Sequence, residues 1–151
     1  MSPGLGDLLP QPPWEGPPIP KFFSERGPGF VMYHATPIKN LESVKQAGIR
    51  RSTPELPRTQ WSPTEPVVYF ADSVGNVIDY AEQTWEYYRM VDPRWAIFEI
   101  KYDEFPTEPH ADLEWGLPGV YWASIDIPAE HVELLGIFDV EKHKWLEELA
   151  P

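Results

Sequence analysis

The chain has no cysteine among its 151 residues. That absence excludes disulfide bridges, thiolate-bound metals and a cysteine nucleophile. Positive charge is scarce as well, with 12 Lys and Arg against 24 Asp and Glu and a formal net charge of -12. Binding to a phosphate backbone needs a basic footprint, so a nucleic-acid partner held by long-range charge is disfavoured. Docking on an anionic membrane is disfavoured for the same reason. No apolar run reaches the roughly 18 residues that a membrane-spanning helix needs. The opening MSPGLGDLLPQPPW lacks a basic stretch followed by an apolar one, so no secretory signal is visible. Together with the missing cysteine, this fits a cytoplasmic protein. Four signatures of familiar chemistry are also absent: GxGxxG, the Walker loop, HExxH and GxSxG.

Hydrophobic residues make up 42% of the chain and charged residues 24%, the proportions of a globular domain rather than a disordered tail. The 19 prolines are unevenly spread. Residues 1–29 hold 8 of them and 5 glycines, a composition that sustains neither a helix nor a central strand. This arm reads as polyproline-like, with Trp14, Ile19, Phe22 and Phe23 as spaced apolar anchors. A single domain over residues 30–151 follows it.

From Phe30 the pattern changes. FVMYH is a short apolar β run, and Thr36-Pro37 reads as the N-cap and first residue of a helix carrying Ile38, Leu41 and Val44. Gly48 stands where a helix C′ glycine belongs. Residues 50–66 form a loop rich in Pro and Arg. VVYFA (67–71) is a second strand, and Asp72 or Ser73 caps a helix with Val74, Val77, Ile78, Ala81, Trp85 and Tyr88 on one face. WAIFEIKY (95–102) is apolar on both faces, which predicts a strand inside a sheet. Strands over 119–127 and 131–140 follow, and 141–149 reads as a short terminal helix with Trp145, Leu146 and Leu149 apolar. Strands clustered after two helices predict an α+β fold with a mostly antiparallel sheet.

Candidate chemistry gathers in a few places. His34 lies at the end of an apolar strand, where sites are commonly built, although a hydrogen-bonded structural histidine fits the position too. His110, Asp112 and Glu114 step by two and share one face of an extended segment, a set that suits a solvated face better than a metal. Tyr69 on a strand and Tyr80 in the helix that follows it can converge on one cleft and sandwich a flat ring, or both can be core aromatics.

These residues also carry a resemblance. FVMYHATPIKNLESVKQAGIRRS resembles the first motif of the ADP-ribosyltransferase superfamily, in particular its poly(ADP-ribose) polymerase-like branch. VVYFADSVGNVIDYA resembles the second motif of that branch, Tyr-Phe-Ala-Asp with a second tyrosine eleven positions after the first. YWASIDIPAEHVELLGIF is similar to the closing strand pair. The resemblance spans roughly residues 30–140 and implies a split, mostly antiparallel sheet with flanking helices, binding NAD between its halves.

By that resemblance His34 holds a ribose hydroxyl of NAD, and Ala35 offers its backbone to the nicotinamide amide. Thr36 assists the amide or caps the helix. Tyr69 lines the nicotinamide-ribose pocket and Tyr80 stacks on the nicotinamide. Arg50, Arg51 or Arg58 approaches the pyrophosphate. One departure stands out. Aligned without gaps on Asp126-Ile127, the family's catalytic glutamate falls on Tyr121, which has no carboxylate and by its place in the motif would contribute to binding the cofactor. Glu114 is the candidate replacement, if its loop folds over the site. The implied activity is transfer of a single ADP-ribose from NAD to a protein or small-molecule acceptor, as in a bacterial toxin, phage-encoded modifier or resistance enzyme. The alternatives are a non-catalytic NAD- or ADP-ribose-binding or protein-interaction domain of the same fold, and an RNA 2′-phosphotransferase-like enzyme.

Overall fold

Apolar β-forming runs alternate here with two short helices, and the strands meet in one sheet. The computed structural model describes residues 31–52, 65–102, 109–111, 117 and 119–146. Its elements are β1 (Met32–Pro37), a 3₁₀ turn (Ile38–Asn40), α1 (Leu41–Ala47), β2 (Val68–Ala71) and α2 (Val74–Tyr87). There follow β3 (Arg94–Ile100), β4 (His110–Ala111), β5 (Val120–Ala123), a second 3₁₀ turn (Ala129–His131), β6 (Val132–Asp139) and β7 (Lys144–Leu146). The strand order is β4-β5-β2-β1-β3-β6-β7, and every pairing is antiparallel. This is the α+β class that the sequence predicts. No helix among the described residues is long and apolar enough to cross a membrane.

Alternation along the strands builds two cores, one on each face of the sheet. Met32, Phe70, Phe98, Ile100 and Tyr121 pack on the face that receives Val44 of α1. Ala35, Ala71, Trp95, Ile97 and Val120 pack on the opposite face, against Val77, Ile78 and Ala81 of α2. β3 lies between β1 and β6 and is buried on both faces, as its doubly apolar pattern requires.

Helix α2 begins where Ser73 accepts a hydrogen bond on Oγ from the Asn76 backbone N–H at 3.1 Å. Asp72 supports the same turn by accepting from Asn76 Nδ2 at 2.9 Å. Of the two expected caps, Ser73 is therefore the one that satisfies an end-of-helix donor. Ser73→Ala is expected to lower unfolding stability by about 1 kcal/mol, measured by urea denaturation.

Two local expectations are corrected. Thr36 and Pro37 do not open a helix. They end β1, opposite Ala96 and Trp95, with Pro37 extended at φ -53° and ψ 146°. Proline also biases its predecessor toward extended backbone, and the β3 ladder decides between the two readings. Residues 141–146 are not helical either. Asp139, 5% exposed, accepts backbone N–H groups from Glu141 and Lys142 at 3.0 and 2.9 Å, which turns the chain. Trp145 then packs edge-on against Phe138 at 5.2 Å, and β7 closes a hairpin with β6. Residues 1–30, and with them the Pro-rich arm, lie outside the described residues, as do Arg58 and residues 147–149.

Candidate functional site

β1 lies between β3 and β2 but pairs with them very differently. With β3 it makes six opposed pairs, from Met32 opposite Ile100 to Pro37 opposite Trp95. With β2 its register is the single pair Tyr33 opposite Ala71. Beyond that pair the two strands part, and the sheet is split. A cavity of about 420 Å³ occupies the split, bordered by His34 to Pro37 on one side and Val67 to Tyr69 on the other. The volume is within the range of small-molecule sites.

His34 spans the gap. Its Nδ1 lies 2.6 Å from the Tyr69 carbonyl oxygen, so a side chain supplies the rung that the backbone ladder omits. A carbonyl only accepts, so Nδ1 carries the proton and donates it. Burial lowers the imidazole pKa to about 4, and the opposing effect of the Tyr69 hydrogen bond recovers only part of that shift. At neutral pH the ring is uncharged, which leaves Nε2 as an acceptor nitrogen.

The two tyrosines converge, as their spacing suggests. Tyr69 and Tyr80 both line the cavity. Their rings stack on each other, with centroids 5.4 Å apart and planes 25° apart. Admitting a flat ring between them would need about 7 Å, twice a van der Waals contact. The two rings are thus in contact with each other, and their spacing leaves no slot for the expected sandwich.

Ala35, Thr36 and Arg50 line the same cavity. Thr36 accepts a hydrogen bond on Oγ1 from Asn40 Nδ2 at 2.9 Å, so its hydroxyl helps shape the wall and does not cap a helix. Arg50 is the one charged side chain among the described lining residues, since His34 is neutral.

Two predicted residues lie elsewhere. Arg51 faces the 124–126 corner: its backbone N–H donates to Asp126 Oδ1 at 2.8 Å and its Nη1 to the Ser124 carbonyl at 3.2 Å. It braces the neighbourhood without lining the cavity. Tyr121 is 8% exposed and packs on Phe70, its cross-strand partner, with centroids 6.1 Å apart. It therefore belongs to the α1-side core. Strand alternation gives Tyr69 a different neighbour on β5, Trp122, on which His110 stacks at 4.1 Å. His110 is thus part of an aromatic pair at the β4 edge. Glu114, the candidate catalytic carboxylate, lies outside the described residues, as does Asp112.

The cavity also uses residues that the sequence reading passed over: Asn40, Thr84, Met90 and Trp95. Thr84 was within reach of that reading, because it follows Tyr80 by one helical turn on the same face of α2. Trp95 reads in sequence as the first residue of a buried strand. It is 2% exposed, and its indole Nε1 is buried without a hydrogen-bond partner.

No protein-family model matches this chain, and no curated protein matches it either.

Proposed function

We propose that the protein is an NAD-dependent mono-ADP-ribosyltransferase that moves ADP-ribose from NAD to a protein or small-molecule acceptor. The observation that carries this reading is the convergence of His34, Tyr69 and Tyr80 on one cavity at the split of the sheet. Those are the residues, and that is the place, which the motif resemblance implies. The chemistry of the wall supports it. A neutral His34 offers Nε2 to a ribose hydroxyl. The Tyr69–Tyr80 stack offers a face to a flat heterocycle. Arg50 offers a cation to the pyrophosphate.

In the proposed reaction the bond from ribose C1″ to the nicotinamide nitrogen breaks, and its electron pair leaves with nicotinamide. A lone pair on the acceptor forms the new bond to C1″, and the acceptor proton passes to water or a nearby base. Transfer of one unit is better supported than chain growth, because the gap-free alignment puts Tyr121 rather than a carboxylate at the position of the family's catalytic glutamate. The same observation favours a second reading, in which the cavity binds NAD or ADP-ribose without turnover. An RNA 2′-phosphotransferase is less well supported, since its substrate calls for several phosphate-binding cations and the chain carries a net charge of -12.

The test is incubation with NAD and a cell lysate, reading nicotinamide by chromatography and acceptors by mass spectrometry. Release of nicotinamide together with ADP-ribose added to an acceptor is the expected result. Thermal stabilisation by NAD without release supports the second reading. Neither stabilisation nor release overturns both.

A further inference from the structure

Helix α2 ends in a turn whose backbone is costly. Arg89 takes φ 51°, the left-handed conformation that helix ends normally give to glycine. Two backbone hydrogen bonds fix the turn: the Arg89 N–H donates to the Glu86 carbonyl at 3.2 Å, and the Met90 N–H to the Trp85 carbonyl at 3.0 Å. Met90 is thereby turned inward, onto the cluster beneath α2, and lines the cavity. The next residue, Val91, is 97% exposed. The cavity wall and the open surface are therefore adjacent residues of one rigid turn.

Five large apolar side chains are exposed among the described residues, and three of them, Tyr87, Tyr88 and Val91, belong to this turn. The Tyr87 and Tyr88 rings meet edge to face at 5.0 Å. Single exposed apolar residues are ordinary, but a group of three on a strained, hydrogen-bonded backbone marks a surface for another molecule. Its charge narrows the partner. Asp79, Glu82 and Glu86 follow at helical spacing along α2 toward the turn, against one cation, Arg89, between residues 74 and 91. Asp92 and Arg94 bind each other at 2.8 Å and add no net charge. An apolar tip at the end of an acidic stripe, on a chain of net charge -12, complements a basic surface.

We infer that the end of α2 is the docking surface for the acceptor, and that the acceptor is a protein presenting an apolar side chain flanked by lysine or arginine. A small molecule would need nothing beyond the cavity wall, whereas aromatic and aliphatic anchors outside it serve a macromolecule. The inference rests on the proposed transfer of ADP-ribose and selects the protein from its two classes of acceptor.

The test uses biotin-labelled NAD in a cell lysate, reading labelled proteins on a blot, with calorimetric titration of NAD alone as the measure of the cavity. Val91→Ser and Val91→Lys are compared with wild type. Leu135→Ser, which removes an exposed apolar side chain from β6, is the control. Both changes at position 91 are expected to keep wild-type melting and NAD affinity, because the side chain is exposed. Labelling of lysate proteins is expected to fall, by about tenfold or more in Val91→Lys, which also opposes a basic partner. Leu135→Ser is expected to label as wild type does. Undiminished labelling in Val91→Lys overturns the inference, as does an equal loss of NAD affinity. Release of nicotinamide by wild type with no labelled protein also overturns it, and leaves the transferase reading with a small-molecule acceptor. A wild-type dimer that Val91→Lys converts to a monomer gives the surface to a second copy and overturns the inference too. Wild-type protein that cleaves no NAD, alone or with lysate, overturns transfer itself and this assignment with it.

Discussion

Gly48→Ala is expected to destabilise the protein by at least about 4 kcal/mol, a large share of the stability of a domain this size. Gly48 ends α1 with φ 80° and ψ -167°, a conformation essentially reserved for glycine. That backbone alone costs another residue about 1–3 kcal/mol. An added Cβ also collides with the Ile127 carbonyl oxygen and comes within 2.7 Å of the Ala129 nitrogen. Neither atom is free to yield. Ile127 and Ile49 exchange two backbone hydrogen bonds, at 2.9 and 2.8 Å, and these tie the exit of α1 to the segment after β5. Moving Ile127 would weaken both, at roughly 1 kcal/mol each. The expected fall in Tm is on the order of 10–15 °C by scanning calorimetry. Gly75→Ala is the opposite-sign control. It lies in the first turn of α2 with open space around it, and alanine there is expected to stabilise by up to about 1 kcal/mol. A Gly48→Ala protein of wild-type Tm would mean that the joint between α1 and residues 127–129 is pliable. The cavity wall would then be pliable at this point too, since Gly48 lines it.

How far the sequence predicts this molecule depends on whether the deciding interaction is local. The interior position of β3 was legible because burial on two faces leaves an apolar run with no polar stripe. Ser73 was legible because capping uses neighbours three residues apart. Thr36-Pro37 misled because a helix start and a strand end share that dipeptide, and the choice is made by β3, some sixty residues away. The terminal hairpin misled because the turn set by Asp139 and the Trp145–Phe138 contact outweigh the helical spacing of Trp145, Leu146 and Leu149. In the site, His34, Tyr69 and Tyr80 were found through motif spacing. Tyr121 was placed by a gap-free alignment that carries no information about which sheet face a residue occupies. Its register opposite Phe70 sends it to the far side. Trp95 and Asn40 carried no local signal, because their relevance comes from the separation of β1 from β2.

That separation makes His34 both a structural rung and the source of the second large effect, a loss of stability in acid. The folded pKa is about 4 against an unperturbed 6.5, so between those values the unfolded chain takes up a proton that the folded one does not. Stability is therefore fully present above about pH 7 and drains away as the pH falls. The loss is about 2 kcal/mol by pH 5 and approaches about 3 kcal/mol near pH 4. Carboxylates add their own loss at the acid end. Asp92, whose pKa the Arg94 hydrogen bonds at 2.8 and 2.9 Å hold low, is one of them. The His34 share is isolated by comparison with His34→Asn, whose side-chain amide can still donate to the Tyr69 carbonyl but cannot titrate. Urea denaturation at pH 8 and pH 5 is expected to give a drop about 2 kcal/mol smaller in His34→Asn than in wild type. His34→Ala, which leaves the Tyr69 carbonyl without this donor, is expected to be about 1–3 kcal/mol less stable at pH 8. The same pKa makes a claim about binding. A histidine of ordinary pKa would lose its acceptor nitrogen by pH 5.5, whereas this one keeps it. NAD affinity is therefore expected to be flat from pH 8 to pH 5.5 and about tenfold weaker in His34→Asn throughout. A wild-type affinity that collapses with a midpoint near pH 6.5 would place a charged imidazolium in the cavity and remove the basis for His34 as the ribose acceptor.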